Sequence, residues 1–125
     1  MPKSQTLIEP VLYLEDHDLQ GGKLSKEIVK IADKRPVLIM IQGSYCGHCQ
    51  QAKPEYQKSA NNNQNILHCT IVTDGDESEQ KLAHNISEVV PFKGVPTFVI
   101  FDKKGQYKNT HNGPRTGDAF VQSCS

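Results

Sequence analysis

The chain has 125 residues, enough for one domain that buries roughly two-thirds of the surface its unfolded form would expose. Its 14 Lys and Arg balance its 14 Asp and Glu, so no net field draws it to nucleic acid or to an anionic membrane. The longest aliphatic run, Val37–Ile41, is far short of the ~20 apolar residues a membrane-spanning helix needs.

The first ten residues, MPKSQTLIEP, lack the apolar core of a signal peptide. The last six, FVQSCS, hold no retrieval signal, so a cytoplasmic location is expected. Residues 1–8 are read as a flexible tail on a single domain, and the protein as a monomer. Residues 11–15 (VLYLE) predict a short strand. Residues 24–34 predict a helix capped by Ser25, with Leu24 and Val29 as a hydrophobic staple. Its expected apolar stripe is Ile28, Val29, Ile31 and Ala32, and Pro36 is expected to end it. Val37–Ile41 is apolar without alternation, as in a central strand covered on both faces.

After a break at QGSY, residues 46–60 have helical periodicity on Cys49, Ala52, Tyr56 and Ala60, and 61–65 read as a loop. Residues 66–72 predict a strand. A helix then starts after Asp76, with Glu77 and Glu79 suited to the positive end of its dipole. An irregular stretch over 87–96 leads to a strand at 97–101, a turn at 102–105, a weaker strand to His111 and a closing helix over 115–124. The order β-α-β-α-β-α-β-β-α predicts an α/β fold. Its sheet is covered by helices on both faces and ends in an antiparallel hairpin at one edge.

Four cysteines, two of them isolated, do not form a secreted disulfide framework. The stretch YCGHCQQAKPEY sets Cys46 and Cys49 at the spacing of a redox pair, half a metal site or a staple. A structural zinc site needs four ligands, and only one such pair exists. His68 and Cys69 adjoin on a predicted strand and so face opposite ways. No metal is expected. Cys69 and Cys124 read as a core residue and a tail thiol.

Cys46 falls where the central strand ends and a helix begins, where unpaired N–H groups and the dipole favour a thiolate. Cys49 lies one turn on, within disulfide reach but facing inward. That asymmetry suits a dithiol exchanger, with an exposed nucleophile and a sheltered resolving thiol. His48, in the gap beside Gly47, would further favour the thiolate when protonated. Pro54 is expected to interrupt and kink the helix. Pro96, just before a buried strand, is a candidate for a cis bond after Val95 that leaves backbone groups free for an extended substrate.

CGHC, the proline of KPEY, GVPTF and NGPRTGDAF occur in the order seen in the thioredoxin superfamily. Over residues 9–123 the chain resembles its protein disulfide isomerase branch. The resemblance implies the thioredoxin fold, a central mixed sheet flanked by helices. It also implies a disulfide oxidoreductase or isomerase with Cys46 as nucleophile, Cys49 as resolving thiol and Pro96 touching the substrate backbone. No cofactor beyond the Cys46–Cys49 couple is expected.

The implied partners are protein thiols and disulfides, with glutathione or a thioredoxin-type reductase behind them. Tyr45 takes the usual tryptophan position beside the pair, and Arg115 becomes a candidate to swing toward the cysteines and tune the second one. One departure stands out. Met40 occupies the position, six residues before Cys46, where the family carries a buried carboxylate. Alternatives are a thioredoxin-like reductant in a reducing compartment, or a binding module of low activity.

Overall fold

The structure, a computed structural model, describes residues 7–124. The sheet is built outward from β4 (Val37–Gln42), all six residues of which are buried. It pairs in parallel with β5 (Leu67–Val72) and antiparallel with β6 (Thr97–Phe101). A two-residue β1 (Leu12–Tyr13) joins the far edge of β5, and β7 (Tyr107–His111) forms the hairpin with β6. The sheet order is therefore β1-β5-β4-β6-β7, with mixed strand directions as expected.

Period-two alternation divides β4 between two cores. Ile39 and Ile41 face one core, with Cys69, Ile71 and Val99 beside them. It is closed by Ile28 and Ala32 of α1 (Lys26–Ala32) and by Leu82 and Ile86 of α3 (Glu77–Ser87). Leu38 and Met40 face the other core with Phe98 and Ile100. It is closed by Cys49, Ala52, Tyr56 and Ala60 of α2 (Gly47–Asn62) and by Phe120 and Cys124 of α4 (Gly117–Cys124). A continuously apolar strand was required because both its faces are covered.

The helix starts follow the local chemistry. Ser25 Oγ accepts from the Ile28 N–H. Asp76 and Glu79 close a reciprocal capping box at the start of α3. Four expectations need correction. Ile31 is 49% exposed, because Ile28 and Ala32, one turn apart, define the buried face of so short a helix.

The second concerns how α1 ends. It stops at Asp33 and Lys34, both at positive φ, before Pro36 is reached. The Arg35 guanidinium then donates to the carbonyls of Ala32, Ile31 and Gln64, satisfying helix-end acceptors. Third, α2 passes through Pro54 without interruption and continues to Asn62, into the expected loop.

The flexible tail expected over 1–8 fails at its last two residues. Leu7 is only 2% exposed in the core under α2. Gln57 clamps Ile8, its Oε1 accepting from the Ile8 N–H and its Nε2 donating to the Ile8 carbonyl. Residues 1–6 lie outside the described residues.

A 3-10 turn (Asp16–Asp18) and a small hairpin of β2 (Leu19–Gln20) and β3 (Lys23–Leu24) fill a segment the pattern reading left blank. Gly21 and Gly22 make its two-residue turn with both φ angles positive, as a type I′ turn requires.

Candidate active site

The site forms at the junction of β4 and α2. Cys46 is the N-cap of α2, with extended backbone angles of −95° and 111°, and its sulfur accepts from the Cys49 N–H at 3.0 Å. A thiolate there receives an otherwise unpaired helix-terminal donor as well as the dipole. The two Cα atoms are 5.1 Å apart, within the range for a disulfide, and the two sulfurs face each other as a pair. Cys46 is partly buried and Cys49 fully buried, the inequality expected of attacking and resolving thiols.

The turn carrying Cys46 is held from the neighbouring strand. The Ser44 N–H donates to Asp74 Oδ1 at 2.9 Å, and Thr73 donates its N–H and its hydroxyl to the Gln42 carbonyl. A Cβ added at Gly43 would lie in ordinary van der Waals contact with Thr73, Val95 and Cys46. Asp74 and Thr73 were not identified from sequence. They lie about thirty residues from the groups they hold, and no local pattern encodes a contact between two loops.

Val95 approaches from the opposite side. Its carbonyl oxygen is 3.4 Å from Cys46 Sγ, and the Val95–Pro96 bond is cis. Tyr45 stands beside Cys46, 81% exposed, and His48 is exposed in the first turn of α2. Gly47 is also exposed, and a Cβ added there would meet nothing within 4 Å, so packing does not require glycine. Arg115 is brought to the same end of the sheet. It lines a groove with Pro96 that neither Cys46 nor Cys49 lines.

Under the pair, Met40 is fully buried in the same core cluster as Cys49 and Tyr56. Neutral polar groups occupy the strand ends beside it. Gln42 Nε2 donates to Thr70 Oγ1 at 2.7 Å, and that hydroxyl donates to the Met40 carbonyl at 2.9 Å. Neither side chain can take up a proton as a carboxylate does.

Lys53, one turn beyond Cys49 on the same helix, is only 4% exposed. Burial lowers its pKa, and Asp74 partly offsets that. Sequence reading missed it because a lysine on an amphipathic helix reads as solvated.

The other thiols are of a different kind. Burial pushes the Cys69 thiol far up and that of Cys124 to about 11, which leaves them poor nucleophiles. His68 faces Ser59 and Tyr56 while Cys69 packs in the opposite core, as alternation requires. Among the described residues no three or more His, Cys, Asp or Glu side chains gather as metal ligands.

Comparison with known proteins adds independent support. Residues 18–125 match the family model described as Thioredoxin. A thioredoxin-like protein of Invertebrate iridescent virus 6 is 34% identical over 108 residues, covering 74% of this chain and 76% of the viral one. Protein disulfide-isomerase A3 of Gallus gallus is 29% identical over 89% of this chain, which spans only 19% of that longer protein. Spinach chloroplast thioredoxin F superposes with a TM-score of 0.68 at 19% identity, covering 96% of this chain and 95% of its own.

Proposed function

The chain belongs to the thioredoxin family of thiol–disulfide oxidoreductases, and from that premise we propose that it exchanges disulfides with protein substrates in the manner of a disulfide isomerase domain. The observation that carries this reading is the inequality of the pair. Cys46 is partly exposed and capped by the Cys49 N–H, while Cys49 is sealed beneath it.

In the reducing direction the Cys46 thiolate attacks one sulfur of a substrate disulfide, forming a mixed disulfide and expelling a substrate thiolate. Cys49 gives up its proton and attacks the Cys46 sulfur, expelling the second substrate thiolate and closing the Cys46–Cys49 disulfide. Two electrons and two protons pass from the dithiol to the substrate. After the reducing direction, reduced glutathione or a thioredoxin-type reductase returns the pair to the dithiol; the oxidising direction is the same path reversed, and oxidised glutathione then restores the Cys46–Cys49 disulfide. Tyr45 offers an exposed aromatic face beside the nucleophile, and the backbone at Val95 and Pro96 lies where an extended substrate strand passes.

His48 in the first turn adds positive charge near the thiolate when protonated, stabilising the reduced form and making the pair more oxidising. Isomerase pairs lie near −180 mV and thioredoxin near −270 mV, a gap of about 4 kcal/mol for two electrons. Equilibration with glutathione buffers, read together with refolding of a scrambled disulfide substrate, tests the proposal. A potential near −180 mV with recovered substrate activity is expected. A potential near −270 mV, with disulfide reduction but no isomerisation, would assign the chain to the reductant side of the family.

Met40 favours a second, narrower reading. With Met40 packed beneath Cys49 and no carboxylate in that core among the described residues, the resolving thiol is deprotonated slowly and mixed disulfides persist, so the domain holds its substrates longer than a fast reductant does.

A further inference from the structure

Building on the exchange reading, we infer that the substrates are polypeptide segments with acidic side chains near the reactive cysteine, selected by a cationic groove beside Pro96. The groove has a volume of about 460 Å³ and is floored by Phe98 and His111, which pair across β6 and β7. One wall is the segment just before Pro96, with Phe92 and Lys93. The other is the segment after β7, with Arg115. Lys93 and Arg115 are both exposed.

The groove continues from the reactive pair. Pro96 lines it, and the carbonyl of the preceding residue, Val95, is 3.4 Å from Cys46 Sγ. An extended chain advances about 3.3 Å per residue. A segment whose sulfur reaches Cys46 therefore lays its second and third neighbours past Pro96 and into the groove.

Charge then decides what fits. The chain as a whole is neutral, yet each wall contributes one cation, and no Asp or Glu lines the groove among the described residues. His111 adds no free donor, because Nε2 donates to the Pro114 carbonyl and Nδ1 accepts from the Ser123 hydroxyl. The apolar surfaces of Phe92 and Pro96 flank the cations. A glutamate, with a short aliphatic stem and an anionic end, matches both parts, whereas a lysine meets like charge.

The test uses peptides with one cysteine activated as a 2-pyridyl disulfide, identical except for Glu, Gln or Lys two and three residues from that cysteine. The reduced full chain attacks the peptide sulfur through Cys46 and releases pyridine-2-thione. Cys49 then displaces the peptide thiol, so the dithiol is oxidised as the pyridyl disulfide is reduced. Two exposed cations predict that the Glu peptide reacts about tenfold faster than the Lys peptide at 0.1 M salt, with Gln between them. The gap should close near 1 M salt, where the screening length falls to about 3 Å.

Lys93→Glu should erase or invert the order, a ratio between peptides that a general loss of activity does not move. Equal rates for the three peptides, or an order that survives Lys93→Glu, overturn the groove assignment and leave the exchange chemistry standing. Reaction no faster than that of free cysteine, with every peptide, overturns the exchange reading and the groove assignment with it.

Discussion

The sulfur of Cys46 is capped by the amide of Cys49, 3.0 Å away, so the resolving residue's own backbone stabilises the nucleophile. A helix-terminal N–H aimed at sulfur favours thiolate over thiol. Cys46 should therefore titrate well below free cysteine and be alkylated first in the reduced protein. Mass-resolved iodoacetamide labelling between pH 5 and 9 checks this. Comparable rates for Cys46 and Cys49 would contradict it.

Met40 supplies the second prediction. Met40→Glu places an ionisable group in the core that also holds Cys49. Release of a trapped mixed disulfide should accelerate several-fold near neutral pH, because the carboxylate can take the Cys49 proton. The change should also lower stability by about 1–3 kcal/mol, since it buries a polar group in place of a packed thioether. Unchanged release would mean that another group already moves that proton.

Acid sensitivity should come from His68. Burial holds its pKa down to about 4, with a smaller push from Arg35, against the hydrogen bond to Ile66 that raises it. Nδ1 donates to the Ile66 carbonyl and Nε2 accepts from Ser59, so the folded protein keeps the ring neutral. As pH falls, the unfolded chain takes up this proton near 6.5, before the folded one does. The stabilising contribution is complete above pH 6.5 and lost progressively toward pH 4, amounting to about 3 kcal/mol. Urea unfolding across that range should show the loss, and His68→Gln should flatten it. An unchanged slope in the variant would exclude His68 as its source.

Tyr56 should matter to stability through one atom. Its hydroxyl lies 2.6 Å from the Cys69 carbonyl and 2.9 Å from the Leu38 carbonyl, inside the core beneath α2. Tyr56→Phe keeps the ring packing against Phe98 and Phe120 and removes the shared donor. A loss of about 1–3 kcal/mol in denaturant unfolding is expected.

Much of this was legible in local pattern. The continuous apolar run of β4, the caps at Ser25 and Asp76 and the buried stripe of α2 each follow from neighbours within a few residues. The inequality of Cys46 and Cys49 followed from their place at a strand–helix junction. Other features depend on distant parts of the chain. Lys53 is buried by tertiary cover that no helical period reveals, and Asp74 reaches Ser44 across two loops. Leu7 belongs to the core because Gln57 clamps the chain beside it. The hairpin at 19–24 has strands too short for any periodicity, and the adjacent Gly21 and Gly22 were the one local signal that could have found its turn. Arg115 stands on the groove with Pro96, a position set by the segment after β7 and not by any local pattern.

The central claim is that Cys46 attacks and Cys49 resolves. Its most direct measurement is trapping with a disulfide-bonded protein substrate, using Cys49→Ser and Cys46→Ser variants side by side. Cys49→Ser should accumulate a mixed disulfide through Cys46, while Cys46→Ser should accumulate almost none. Equal trapping by both variants, or trapping through Cys49 alone, would contradict it.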